Sequence, residues 1–469
     1  MAVDVSRRTF VQGSAAIGGG LAIGGPISAL AANSAQGKPP VVPGYGPLAP
    51  TPEIDTGIEF LSLPKGFEYR LINRSGDPMR DGNPTPSIMD GTGAFRGPRG
   101  TTVLIRNHEN RSRAGEINVP VPTGKRYDPD VNVRGGNTKL VVGPDRKVQE
   151  VFGILGGTHT NCAGGVTPWG SWITCEEIFN YGATESNTTA GTGVPHGYAF
   201  EIPADATKAV TPQPIVDAGR FSREAVAWLN GVLYQTEDRG DACLYRFVPD
   251  RRPKEYGDLA DFGGVLQALV VKGRPNFDAN TANPGEVFQT EWVTIEEPNP
   301  LTDTVRKEAQ AKGAAIFDRT EGCWSSPRKV YFDCTTGGEA QLGQLWEYEP
   351  DARGGGKLKL IYESTNSDQL ENPDNLVLVP GTGDVWLQED GDDEQFIRGV
   401  TLDGRIYDFA KTVLNSTEFC GGCFSPDGQT FFVSQQGDRL AAGQAPLDQP
   451  ASNAGLTFAI WGPFRSRRA

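Results

Sequence analysis

The stretch NCAGGVTPWGSWITCEE, Asn161–Glu177, decides how this chain is read. Two others align with it without a gap: REAVAWLNGVLYQTED (Arg223–Asp238) and TEGCWSSPRKVYFDCTT (Thr320–Thr336). Each is a short apolar run, a turn rich in Pro, Asn, Gly or Lys, and a second run carrying Trp172, Tyr234 or Tyr331. That pattern is a β-hairpin. Ten residues before each aromatic stand Cys162, Glu224 and Glu321. A thiolate and two carboxylates in equivalent places on repeated hairpins point to one shared site, most simply a metal site. Any single acid reads equally well as a turn residue, since Asp and Asn stabilise turns and Glu is common on surfaces. The shared register points past that reading. Arg319 lies two residues before Glu321, so strand alternation puts both on one face.

Three further segments fit more loosely. TTVLIRNHE ends on Glu109, NPDNLVLVPGTGDVWLQEDGDD enters on Asp374 and Asn375, and CGGCFSPDGQTFFVSQQ keeps the hairpin without acids at its exit. Second runs leave on acid pairs: Glu176 and Glu177, Glu237 and Asp238, Glu389 and Asp390. A companion strand recurs as GYAFEIP, LYRFVP, LWEYEP and IYDF. About six units of roughly 45 to 60 residues, each with several short strands, predict a six-bladed β-propeller with irregular loops and few short helices. Equivalent positions of the blades then converge on the central channel. Trp172, Tyr234, Tyr331 and Trp386 read as blade core, and only the segment from Thr304 to Ile316 reads as a helix.

The chain has 469 residues, with 60 Gly and 35 Pro. A closed propeller uses such a length as one domain, here expected over 52–469. The net charge of -14 argues against nucleic acid, which requires a basic face. It fits a protein that collects cations such as calcium through carboxylates, or one kept soluble by its charge. Residues 1–32 read as a twin-arginine signal peptide: Ser6-Arg7-Arg8-Thr9-Phe10-Val11, a weakly apolar stretch, then Ala29-Leu30-Ala31 before cleavage. A periplasmic or extracellular protein without stable membrane association follows, with the twin-arginine machinery as export partner. Residues 33–51 read as a Pro-rich lead-in. A propeller closed on itself is consistent with a monomer.

Seven cysteines leave at least one unpaired, and Cys162 is assigned to metal. Cys420 and Cys423 have the spacing of half a zinc site, with no second half; a strained disulfide or buried thiols are the other readings. Cys323 and Cys334 could bridge one hairpin. Among the three histidines, His108 and His159 read as packing or orienting residues near the motifs, and His196 as an ordinary loop residue.

These motifs carry a resemblance. LPKGFEYRLI, DGTGAF, RNHE, NCAGGVTPWGSWITCEE, GRFSREA, YQTEDRGD, FDRTEG, NPDNL and LQEDG make most of the chain resemble the PhoX family of secreted bacterial alkaline phosphatases. The resemblance implies a six-bladed propeller that hydrolyses phosphate monoesters with ferric iron and calcium ions joined by an oxo bridge. It makes Cys162 an iron ligand, Glu224 and Glu321 the iron-binding carboxylates, and Arg319 the arginine on the phosphoryl group. Glu109, Glu176, Glu177, Glu237, Asp238, Asp374, Asn375, Glu389 and Asp390 are the pool for calcium. One departure is Arg223, where the family often carries His.

The chemistry is consistent. Displacement at phosphorus needs charge stabilisation, which clustered cations provide, and the sequence has no Gly-x-Ser-x-Gly elbow. Two alternatives remain at this point. One is a calcium-dependent lactonase or phosphodiesterase on the same scaffold, and the other a non-catalytic ligand-binding propeller.

Overall fold

The computed structural model describes residues 43–179, 193–392, 394–437 and 454–464. The expected signal peptide and the lead-in up to residue 42 lie outside them. The chain is all-β and propeller-like, built of antiparallel sheets that form largely in chain order. The first sheet runs Met89–Arg96, Thr102–His108, Gly135–Val142, Val148–Thr158; the next runs Asn161–Val166, Ser171–Glu176, Ala199–Pro203. A nine-stranded sheet follows. It joins Arg223–Leu229, Val232–Glu237, Tyr245–Pro249 and Gly264–Val271 to Gly356–Glu363, Gln344–Pro350, Val330–Cys334 and Thr320–Ser325, through Val287–Thr294. Pro373–Leu378, Val385–Glu389, Phe396–Val400 and Ile406–Thr412 come next. Last come Phe419–Phe424, Phe431–Gln435 and Leu456–Trp461, and Glu68–Arg74 from the start of the chain completes their sheet.

The strands at 89–96, 161–166, 223–229, 320–325, 373–378 and 419–424 contact one another in a ring. All but the strand at 89–96 are the first runs of the hairpins read from sequence. Trp172, Tyr234, Tyr331 and Trp386 are buried between sheets as expected. Trp172, for example, packs on Phe95, Val103 and Ile105 of the preceding sheet. The helix falls at Val305–Ala311, within the expected segment, and α-helix is otherwise only Asp258–Asp261 among the described residues. No helix among them is long and apolar enough to cross a membrane.

Three details differ from expectation. TTVLIRNHE is the second strand of its sheet, because the first, Met89–Arg96, precedes it across a longer turn. IYDF is an outer fourth strand, paired with Phe396–Val400. The compact body begins at Pro43. Tyr45 packs edge-on against Phe67 and Phe409, and Leu48–Thr51 pairs with Leu61–Pro64, so the end of the lead-in belongs to the sheets.

Candidate metal centre

One local device recurs in all six ring strands. The register of each slips shortly after its start, a β-bulge that re-aims a side chain. The slips fall between Met89 and Thr92, Asn161 and Gly164, Arg223 and Val226, Thr320 and Cys323, Pro373 and Asn375, and Cys420 and Cys423. The first bulged residues are therefore Asp90, Cys162, Glu224, Glu321, Asp374 and Gly421. Five carry metal-type side chains, and all five line one cavity of about 380 Å³. The residue that follows is small in most strands: Gly91, Ala163, Ala225, Gly322 and Gly422. Crowding at the axis explains this, since a Cβ on Gly322 would lie 2.7 Å from the Asp374 carbonyl oxygen and the Leu376 nitrogen.

The second strands supply a second set. Glu109, Glu177, Asp238, Asp390 and Gln436 each directly follow a second strand, and all line the cavity. Strand alternation sends the preceding residue the other way. Glu176 accepts hydrogen bonds from the backbone of His159 (3.0 Å), Gly197 (2.8 Å) and Tyr198 (3.2 Å) and pairs with His196 Nδ1 at 2.7 Å. Glu237 accepts from the Tyr245 hydroxyl at 2.8 Å and faces Arg306. Glu389 accepts from Arg398 Nε at 2.9 Å and from the amides of Glu371 and Phe396, both at 3.0 Å. These three candidates are absent from the cavity lining; their carboxylates latch neighbouring loops. Asn375 also points elsewhere: its Nδ2 donates to Asp374 Oδ1 at 2.5 Å and its Oδ1 accepts from Gly421 N at 2.8 Å, which orients Asp374. Each acid pair thus splits between cavity and latch.

Donor atoms within the cavity fall into overlapping groups: Cys162, Glu177 and Glu224; Glu224, Glu321 and Asp374; Asp374, Asp390 and Glu418; Asp90, Glu109 and Glu418. Within each group they lie within 4.8 Å of one another. Asp90 and Glu418 were not among the residues read from sequence. Asp90 was hidden because the second strand of its hairpin, Thr102–His108, has no aromatic to set the register, although its Asp-Gly pair repeats the Glu-Gly of Glu321-Gly322. Glu418 lies outside the shared register, three residues before Gly421.

Burial pushes the Cys162 thiol well above its ordinary range, reinforced by the charges of Glu224, Glu177 and Asp90. Burial likewise raises Glu224, with Asp374 and Glu177 adding repulsion, and Glu321, with Asp238 and Glu224 adding it. Glu224 Oε1 is buried with no hydrogen-bond partner. Such a ring cannot hold its full negative charge alone, and a cation among it removes both the repulsion and the orphaned oxygen. The donor set of one sulfur and many hard oxygens fits a transition metal beside calcium-type ions.

Arg319 closes one side. Its Nε and Nη2 donate to the Asp238 carboxylate at 2.7 and 3.0 Å, and Nη2 also donates to Glu321 Oε1 at 2.7 Å. Arg111 pairs with Glu109 on another side. Arg223 does not reach the cavity. It is buried in the body and donates to Gln235 Oε1 at 2.9 Å and Gly219 O at 2.7 Å.

The histidines stay off the cavity lining. His108 lies between Ser87 O and Thr138 Oγ1, a packing role as read. His159 contacts Thr160 Oγ1, and burial pushes it down to about 3, so it is neutral. His196 corrects the reading of an ordinary loop residue: it is buried between Glu176 and Asp128. Burial opposes its charge, but Glu176 and Asp128 prevail and raise it to about 9. All seven cysteines are buried free thiols, so neither suggested disulfide is present.

Known proteins place this centre in a class. The alkaline phosphatase PhoX family matches residues 43–152 and 135–438, which makes this a metal-dependent phosphatase on a propeller scaffold. The chain belongs to the PhoX family of alkaline phosphatases. Pseudomonas fluorescens PhoX, solved with the transition-state analogue vanadate, is similar in fold, with 18% identity and a TM-score of 0.65 over 90% of this chain and 98% of that one. A gluconolactonase from Xanthomonas campestris is similar at 12% identity and a TM-score of 0.42, over 90% and 99% of the two chains. No curated protein sequence matches.

Proposed function

We propose that this phosphatase hydrolyses phosphate monoesters at a cluster of ferric iron and calcium in the cavity, with Cys162, Glu224 and Glu321 holding iron. Asp90, Glu109, Glu177, Asp238, Asp374, Asp390 and Glu418 are the pool for calcium. One observation carries the reading: a buried thiol and buried carboxylates are aimed at one cavity by the same bulge in successive strands. When bound, the cations supply charge neutralisation for the ester dianion and Lewis-acid activation of the nucleophile.

The chain's own residues do the rest. Cys162 Sγ and the carboxylates of Glu224 and Glu321 give up their protons when the site is loaded. Arg319 is fixed by Asp238 and Glu321, leaving Nη1 without a hydrogen bond to either, to donate to a phosphoryl oxygen. The burial of all three histidines away from the cavity leaves no imidazole to serve as base. The ring of six inner strands favours six blades, the nine-stranded sheet being two blades joined through Val287–Thr294. Arg7 and Arg8 in the twin-arginine pattern favour export to the periplasm or beyond.

The test is elemental analysis of natively exported protein, with hydrolysis of p-nitrophenyl phosphate at alkaline pH on the same sample. Iron and calcium with turnover are expected, and Cys162→Ala is expected to lose iron and rate together. A Cys162→Ala variant that keeps both refutes the ligand assignment. For export, Arg7→Lys with Arg8→Lys is expected to hold the protein in the cytoplasm on cell fractionation; unchanged export removes that part.

A further inference from the structure

The segment from Glu109 to Glu116 places two arginines, Arg111 and Arg113, on the wall of the acid-lined cavity. The segment is held at both ends. Asn110 Nδ2 donates to Ile117 O at 2.8 Å and to Arg134 O at 3.1 Å. The buried Glu116 carboxylate accepts from the backbone of Arg111 at 3.0 Å and of Arg113 at 2.9 Å. Arg134 Nη1 donates to Glu116 O at 2.7 Å. Between the arginines, Ser112 takes a positive φ of 61°, the tight turn this clamp imposes.

The cationic groups on the cavity wall are not alike. Arg319 is committed to Asp238 and Glu321, and Arg111 to Glu109. Arg113 is exposed, lines the same cavity, and its guanidinium makes no hydrogen bond or ion pair with any described residue. Among the described residues, its bonds are through its backbone, to Glu116. A guanidinium with its donors free beside a phosphatase site fits a carboxylate or phosphate.

We propose that Arg113 forms a second anion subsite at the cavity, so that the enzyme favours small phosphate esters carrying a further carboxylate or phosphate beyond the group being hydrolysed. This rests on the phosphatase reading of the cavity. Arg113 is a specificity residue here: the scissile phosphoryl group belongs to the deeper donors and Arg319, and Arg113 takes the far end of the substrate. The clamp by Glu116 matters because a pre-set loop loses less freedom when the ester binds.

The test compares 3-phosphoglycerate with glycerol 3-phosphate, which share a skeleton and differ by a carboxylate against a hydroxymethyl group. The readout is the ratio of kcat/KM for the two on the metal-loaded protein. The wild type is expected to favour 3-phosphoglycerate. Arg113→Gln is expected to lower that ratio about tenfold, mainly through KM, as for loss of one charge-assisted hydrogen bond. Arg113→Lys is expected to restore part of it. A ratio unchanged by Arg113→Gln overturns the subsite, whether or not both rates fall. Failure of the parent reading is distinct: the wild type would then turn over neither ester. In that case the same ratio is read as Kd by calorimetry with the same two compounds, and an unchanged Kd ratio again overturns the subsite.

Discussion

Glu176 and Glu177 are neighbours with different work. The first is enclosed by three backbone donors and His196; the second lies with Cys162 and Glu224 on the cavity. Glu177→Gln is expected to lower bound metal and turnover while unfolding of the metal-free protein barely changes. Glu176→Gln is expected to cost stability, about 3–5 kcal/mol as for a broken buried pair, read from the urea midpoint. The reverse pattern would exchange the two roles. The sequence made the acid pairs visible but not this split, because which member faces the channel depends on where each strand ends. His196 was illegible for a similar reason: its partner Asp128 is distant in sequence. Its folded value, raised from 6.5 to about 9, sets a pH window. The stabilisation is complete below the unfolded value and is lost as pH rises through about 9. The melting temperature of the wild type is expected to fall across that interval, and His196→Gln, less stable throughout, to show a shallower fall.

At the level of the element, the hairpin was legible and the bulge was not. Shared spacing to an aromatic located Cys162, Glu224 and Glu321 because strand and turn together span the same length in their three hairpins. The strand carrying Asp90 escaped because its partner, Thr102–His108, carries no aromatic residue from which the spacing could be counted. A second signal was present: a ligand followed by a small residue, as in Asp90-Gly91, Cys162-Ala163, Glu224-Ala225 and Glu321-Gly322. Its cause is the approach of six backbones at one axis. Gly322→Val should therefore destabilise the protein by about 1–3 kcal/mol, since its side chain meets backbone that cannot swing aside, and should displace Asp374. Gly124→Ala, where a Cβ meets nothing within 4 Å, should be silent in the same thermal and metal assays. Equal effects at the two positions would remove the crowding argument.

Across the whole molecule, the cavity donors come from every sheet. On the proposed reading, cations shared by these donors would clasp the assembly, so removing them should lower stability by mass action, about 2.7 kcal/mol for a site held at a hundred times its Kd. Calorimetry before and after chelation, then after calcium is restored, checks this. A melting temperature indifferent to chelation would mean that the ions do not bridge sheets. The propeller-like class was readable because repetition survives in sequence. The seam that closes it was not, since Glu68–Arg74 and Leu456–Trp461 resemble no other pair and meet only in space.

That seam has a consequence for biosynthesis. Arg74 and Leu456 are paired neighbours, so the first strand of the seam must wait, unpartnered, while nearly all of the chain is made. Such distant pairing is slow, because the entropy of closing so long a loop is lost before any contact compensates it. The cavity donors reach their mutual distances only when the ring is shut. Cofactor capture is therefore a late event, and a loaded metal centre reports that folding has finished.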